Sequence, residues 1–436
     1  MRGRRSIDDD LGRSVQGVVN DANVAAEPAR VRMPREAYVL FCGLFLSVAS
    51  NNLVTPLLPA IRSGLGVSLA SIGTFVSAYG MARLIVDLPS GMLVSRVGPR
   101  SIALVGVSLN CVASVVAVFA PSFGVLMAAR IGAGVGAGLL ATVILSALSD
   151  VAPPQIRGRV MSLYQVANNL GIAIYPLIGG LAGSWLGWRA GFACGAIAAA
   201  LSGLVLAPVM GRLGAMTVSS AKVRKGGPAV AGAISRMASA VALCAIFFGV
   251  VANMINRHGF RNTVLPLFAE SRLGLNEVQT ATGITVMSLT GILVTIPGAA
   301  LGDRIGRKRV LVAGLVLLSI GDFVYPAVAT SFTSFVFAGA IVGLGDFFSS
   351  SQTALLSDMV EGPRRALALG AYRFFVDVGA LVGPLLLASL LAAFGADAAI
   401  RTASVILLAA ALVGQFGIPG GRRRGRRLPE ATATVS

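Results

Sequence analysis

Long apolar runs separated by short polar breaks fill almost the whole chain, at 37–61, 69–94, 100–120, 123–149, 160–186, 190–211, 240–266, 278–302, 309–330, 333–357, 367–394 and 399–418. Each has about the 20 residues that a helix needs to cross the ~30 Å hydrocarbon layer of a bilayer. A backbone in that layer must satisfy its own polar groups, which favours helices. The pattern predicts an all-α membrane protein of twelve transmembrane helices. The longest polar break, 212–239, is a cytoplasmic linker between two six-helix bundles, 37–211 and 240–418. Residues 1–36, polar and mixed in charge, are expected to form a disordered cytoplasmic tail without a cleavable signal peptide, and 419–436 a basic cytoplasmic tail.

The two bundles are copies of one unit. Displaced by 208 residues without a gap, Leu148, Ser149 and Asp150 fall on Leu356, Ser357 and Asp358, and Arg96 and Gly98 on Arg304 and Gly306. Pro89 likewise meets Pro297, Tyr164 meets Tyr372, and Pro176 meets Pro384. Pseudo-symmetric duplication of a helical bundle is typical of proteins that move solutes across membranes.

Composition agrees: 55% of residues are hydrophobic and 12% charged, against about 25% charged in soluble domains. The formal charge of +18 raises nucleic acid as a partner. The distribution argues otherwise, because about three-quarters of the Lys and Arg fall on one side of a twelve-span chain, as cytoplasmic loops do. Both termini are therefore expected in the cytoplasm. The basic clusters at Arg422–Arg427, Arg304–Arg309 and Lys222, Arg224 and Lys225 suit anionic lipid, and no nucleic acid is expected. Cys42, Cys111, Cys194 and Cys244 lie within spans without metal-ligand spacing and are read as packing residues. Gly132–Gly138 lacks the following Lys-Ser or Lys-Thr of a nucleotide loop. With no metal cluster or nucleophile-base pair in view, neither an enzyme nor a cofactor is expected.

Each half carries one short loop after its second span: Gly91, Leu93, Ser95, Arg96, Gly98 and Arg100 in the first, Leu301, Gly302, Asp303, Arg304, Gly306, Arg307 and Lys308 in the second. These resemble the loop signature of the major facilitator superfamily, from which the first copy departs at Ser95, where the family has Asp. Arg130 followed by Gly132, Gly134, Gly136 and Gly138 is similar to the family's fourth-helix motif. Gly171, Pro176, Gly179 and Gly180 partly match the fifth-helix signature of proton-linked efflux members, with Tyr175 in place of a Gly. Gly379, Gly383 and Pro384 carry a cleaner copy in span 11. The resemblance implies the family fold, the plasma (inner) membrane, a monomer, a small-molecule substrate, protons as coupling partner, and gating by the loops at Gly91, Ser95, Arg96, Gly98, Asp303, Arg304, Gly306 and Arg307.

Ionisable side chains inside a bilayer cost at least ~2.5–3.5 kcal/mol each, so they face water, pair or act. Arg83 and Asp87 in span 2, and Arg373 and Asp377 in span 11, repeat one spacing, Arg then Asp four residues on. At about 1.5 Å of rise per residue, Asp87 and Arg373 both lie ~12 Å in from the loops, and Arg83 and Asp377 ~18 Å in. Spans 2 and 11 pack together in the family fold, so a four-charge cluster is expected, Arg83 facing Asp377 and Asp87 facing Arg373. The alternative is two local pairs, each within its own helix. The symmetry-related positions Gln165, Asn169, Gly291 and Thr295 are neutral.

Asp346 heads a polar stripe with Ser349, Ser350, Thr353 and Ser357 near mid-membrane. It either exchanges a proton in each cycle or lines the cavity without coupling duty. Asp322 falls on a span that is peripheral in the family and is read as structural. Arg130 contacts substrate or a coupling carboxylate, or else binds carbonyls near the outer surface. Span 7 forks: it ends at Asn256, leaving Arg257, His258 and Arg261 outside, or continues through Pro266. The match of Thr55 to Thr263 favours continuation. Asn253, Asn256, Arg257 and Arg261 then line a cavity opposite Ser47, Ser50, Asn51 and Thr55, with Gln165 and Asn169 as further lining candidates. The functional reading is proton-coupled export of small amphipathic organic molecules. Import of an anionic or zwitterionic metabolite, drawn by Arg130, Arg257 and Arg261, is the alternative, and a transport-inactive sensor on the same fold a minor one.

Overall fold

A computed structural model of the chain describes residues 33–153, 155–220, 240–360 and 364–418. Most of the expected tails and of the linker lie outside the described residues, within which all regular structure is helical.

Among the described residues the helices are arranged as twelve passes. In the first half they are α1 (Arg35–Leu65), α2 (Leu69–Val97), α3 (Pro99–Val118), α4 (Phe123–Val151), α5 (Arg157–Leu186) and α6 (Arg189–Ser220). The second half has α7 (Ala240–Leu273), α8 (Glu277–Ile305) and α9 (Arg307–Val328). It continues with α10 (Phe332–Leu344, Gly345–Phe348 and Ser349–Met359), α11 (Arg364–Phe394) and α12 (Ala396–Gly417). Eleven passes are long and apolar enough to span a bilayer; α1 is broken by a 3-10 turn at Thr55–Leu57 and α10 by one at Gly345–Phe348. α6 runs past the expected end at 211 to Ser220. The outer surface is apolar, with Trp185 83% and Phe416 85% exposed, as suits lipid contact. Cys42 and Cys244, read as packing residues, are exposed on this surface.

With twelve passes, the start of α1 and the end of α12 share one face, the terminal face. Four helices that begin on the opposite, far face start behind a side-chain cap: Ser68 before α2, Ser122 before α4, Asn276 before α8 and Ser331 before α10. Each side-chain oxygen accepts a backbone N–H that the first turn leaves without a partner. The duplication extends to backbone angles. Among the described residues, the six with positive φ are glycines in three pairs under the 208-residue shift, Gly66 and Gly274 (62° and 63°), Gly98 and Gly306 (92° and 103°), Gly187 and Gly395 (80° and 84°). A Cβ at such φ values is strained, which explains why both copies hold Gly there.

The halves meet through α2 against α11 and α5 against α8. The contact is concentrated toward the far face. Leu57, Leu58, Ile61, Ile72 and Phe75 of the first half join Phe260, Val264, Phe268, Leu387 and Leu391 of the second in one buried apolar cluster. The Ser77 hydroxyl donates to the Leu381 carbonyl at 2.7 Å. Gly73 on α2 packs on Ala388 of α11, and Gly180 on α5 packs on Ala281 of α8. These contacts are related by the internal shift, with glycine and alanine exchanged. Toward the terminal face the halves separate. Positions built out from Gly91 on α2 and Gly370 on α11 meet nothing within 4 Å, and the buried cluster of Leu40, Leu44, Ile102, Leu140, Ile144 and Met210 belongs to the first half alone. The structure is sealed at the far face and open at the terminal face.

Candidate functional site

α7 continues through Arg257 and Arg261 to Leu273, so the fork in span 7 resolves to a single crossing. Its centre, Ile255–Val264, is wound as a π-helix, and the Thr263 hydroxyl donates at 2.8 Å to the His258 carbonyl five residues back. Such widened turns recur at functional sites. This one carries Asn256, Arg257, His258 and Arg261, and turns Asn256 and Arg261 into the second half, where each finds an aspartate.

Arg261 holds Asp346 as a fork: Nη1 donates at 2.6 Å to Oδ2 and Nη2 at 3.2 Å to Oδ1. The side chains are 7% and 13% exposed. Asp346 sits in the 3-10 break of α10 rather than on a continuous stripe. Room for its carboxylate is made by Gly291 on α8, where a Cβ would lie 2.7 Å from Oδ2. The first half repeats the device with the partners exchanged, since Asp87 on α2 lies against Gly138 on α4, 2.9 Å from a Cβ built there. Gly138 is the residue that the internal shift matches to Asp346.

Asp322, read as structural on a peripheral span, is fully buried and accepts a hydrogen bond from Asn256 Nδ2. Arg261 and Asp346 lie within electrostatic range of it. A lone Asp in an apolar run was the available sign; its rotation toward α7 was not readable.

In the first half Arg130 is 5% exposed. Nη2 donates to Asn51 Oδ1 at 2.6 Å, and the guanidinium lies 4.9 Å from the ring centres of both Phe75 and Tyr79. It therefore binds neither outer-surface carbonyls nor a carboxylate among the described residues. Two aromatic faces and an amide dipole hold the charge in place. Asn253 and Thr55 are buried, Arg257 and Asn169 half-buried and Gln165 exposed. Ser47 and Ser50 bond back to their own helix, to the Leu44 and Ser47 carbonyls.

In the α2–α11 seam the ion pair that forms is the local one, Arg83 Nε to Asp87 Oδ2 at 3.5 Å. Among the described residues none joins Arg83 to Asp377 or Asp87 to Arg373, so the expected cross-helix cluster is not assembled in this conformation, although Asp377 lies within electrostatic range of the other three. The reason is position. Gly80 still touches α11 at Ala380, 3.5 Å from its Cβ position, and Arg83 is one turn further along the diverging helices. The two signature loops brace single halves here. Arg307 binds Asp303 at 3.1 Å and Asp358 at 2.7 Å, tying α8 and α9 to α10. The Ser95 hydroxyl donates to the Met92 carbonyl of its own helix at 2.8 Å and caps nothing. Among the described residues no group of His, Cys, Asp and Glu could hold a metal.

Comparison with known proteins matches residues 40–283 and 246–434 to the model of the Major Facilitator Superfamily. A chloramphenicol resistance protein of Streptomyces lividans is 27% identical over 88% of this chain and 96% of its own length. The quinolone resistance protein NorA of Staphylococcus aureus is 27% identical over 34% of this chain, 38% of that protein. Among solved structures, a D-xylose-proton symporter superposes with a TM-score of 0.71 at 16% identity, covering 88% of this chain and 97% of that one. A bacterial homologue of the human lysosomal transporter Spinster, inward-facing and occupied, gives 0.71 at 16% identity, covering 87% and 96%.

Proposed function

Because this chain belongs to the major facilitator superfamily, whose members are membrane transporters and not enzymes, we propose that it exports small amphipathic organic molecules in exchange for protons, by alternating access. The observation that carries the reading is the buried Arg261–Asp346 pair beside the far-face seal. Arg261 lies in sequence between Phe260 and Val264, both members of the sealing cluster. Protonation of Asp346 would end the ion pair and free α7 to move relative to α10, which links a proton to the gate. The open terminal face, cytoplasmic by its basic loops, is where substrate would enter. The names of the relatives in Streptomyces and Staphylococcus support export and make chloramphenicol and a quinolone the first substrates to try.

The test is flux in proteoliposomes that hold the protein inside-out, terminal face outward, with an acidic lumen. Either drug should accumulate inside, and an ionophore that collapses the pH gradient should stop it. Asp346→Asn should keep downhill drug exchange and lose accumulation. Accumulation by that variant, or flux indifferent to pH in the native protein, would overturn the coupling role.

The seam charges fit the same cycle. Closing the terminal face brings α2 onto α11 beyond Gly80, and Arg83 would then meet Asp377 while Asp87 meets Arg373. Arg83→Asp and Asp377→Arg should each slow transport about tenfold, a coupling of about 1.4 kcal/mol, and together restore most of it. A double variant no better than the singles would exclude the contact.

A further inference from the structure

The second half holds two acids and one arginine where a single ion pair would suffice, and their unmet hydrogen-bonding atoms are complementary. Arg261 uses both terminal nitrogens on Asp346, while its Nε is buried without a partner. Asp322 Oδ1 is likewise buried without a partner, and its other oxygen meets the neutral amide of Asn256. An ionised carboxylate with no cation bound to it, fully buried in a membrane helix, is among the costliest arrangements a protein can hold. A neutral carboxyl there is not. Asn256 suits either form, because an amide donates to a carboxylate through Nδ2 and accepts from a carboxyl through Oδ1, and Asn256 Oδ1 is itself without a partner.

We propose that Arg261 exchanges counter-ions between Asp346 and Asp322 during the cycle while one proton moves the opposite way. In the conformation described, Asp346 is ionised and paired with Arg261, and Asp322 carries the proton. In the alternate state Arg261 pairs with ionised Asp322, and Asp346 carries the proton. The O–H bond at Asp322 breaks and one forms at Asp346, so both states hold one cation, one anion and one proton, and the exchange itself creates no net charge in the membrane interior. Net proton movement follows when Asp346 gives its proton to water on one face and Asp322 regains one from the other on the return. The neighbours allow it. Asp322 faces Asn256 and Arg261 from α7 and Asp346 from α10, and the nearby Tyr325 hydroxyl donates to the Phe335 carbonyl at 3.1 Å. Asp346 faces Arg261 and, within electrostatic range, Arg257 from α7; α8 packs Gly291 against it.

The role in transport rests on the proton-coupled reading, but the protonation pattern can be read without any flux. Infrared spectra of the full-length protein reconstituted in lipid would record the deuteration-sensitive C=O stretch of neutral buried carboxyl groups. The native protein should show a band that Asp322→Asn removes. Asp346→Asn should also remove it, because Asp322 then ionises to meet Arg261. Arg261→Gln should strengthen it about twofold, since both acids are neutral once the cation is gone. A band that survives in Asp346→Asn, or a native protein with no Asp322-dependent band, would overturn the proposal. Arg261→Gln reads the same coupling if Asp346→Asn is not recovered folded. Failure of drug flux alongside the expected band pattern would refute the export reading and leave the counter-ion exchange standing.

Discussion

Asp322→Asn combined with Asp346→Asn should destabilise the protein by about 3–5 kcal/mol, the cost of leaving a buried charge without its partner, and by clearly more than the two single changes added together. Each single variant leaves Arg261 one carboxylate, Asp346 as now or Asp322 close by, and should lose about 1 kcal/mol. The double variant leaves none, and arginine cannot shed its charge as an acid or a lysine can. Adding Arg261→Gln should then recover most of the loss by removing the charge itself. Thermal unfolding in detergent, followed by the fraction of monodisperse protein, measures all four proteins. Additive single effects would mean that Arg261 does not reach Asp322. A triple variant no more stable than the double would mean that the stranded charge is not the source of the loss.

The fold was legible because a bilayer leaves few choices. Apolar runs of spanning length had to be helices, the gap-free internal shift dictated two bundles, and the shift proved exact enough to pair the positive-φ glycines Gly66 with Gly274 and Gly187 with Gly395. Depth can be read for the same reason, since rise per residue is constant along a helix: Arg83 and Asp377, expected at one level, lie on packed helices and within electrostatic range of each other. Whether they touch depends on which face of the transporter is open, a property of the whole molecule that no local spacing encodes.

Rotation about the helix axis was the main loss. In a span that is apolar all round, periodicity does not say which side faces lipid, so the sequence, which marked Asp322 as structural, did not show that its fully buried side chain meets α7. The π-turn compounds this, because Ile255–Val264 offsets the helical phase between Asn253 and Pro266. The pairing of Asn256 with Asp322, and of Arg261 with Asp346, follows from that offset. A partial sign was present in the repeat itself. Asp346 stands where the first half has Gly138, and the structure shows why a carboxylate and a glycine can trade places. Each half packs one aspartate over one glycine, Asp87 over Gly138 and Asp346 over Gly291, but on opposite members of the helix pair. In the second half the acid therefore stands within reach of α7.

Filling the two glycine contacts at the far face should turn the transporter over. A Cβ at Gly73 would lie 2.6 Å from the Pro384 carbonyl oxygen, and one at Gly180 would lie 2.6 Å from the Glu277 carbonyl oxygen. Both obstacles are backbone, which cannot swing aside as a side-chain tip can, so even alanine must push α2 from α11 or α5 from α8. Overpacking of this kind costs about 1–3 kcal/mol per site, and the cost falls only on the conformation in which the far face is shut. Gly73→Ala or Gly180→Ala should thus shift the equilibrium toward the outward-open state about 10- to 100-fold, with near-equal effects because the internal symmetry relates the two contacts. In a background without the four native cysteines, a cysteine at Leu58, now within the sealed cluster, should become reactive to a water-soluble thiol reagent. One at Gly370, now open, should become protected. Gly91→Ala is the control, since a Cβ there meets nothing within 4 Å, and it should leave both reactivities unchanged. If Gly73→Ala and Gly180→Ala leave Leu58→Cys unreactive while transport continues at its native rate, the far-face glycines do not govern closure. If Gly91→Ala changes labelling as much as they do, added bulk in α2 would be acting through the helix rather than through the contact.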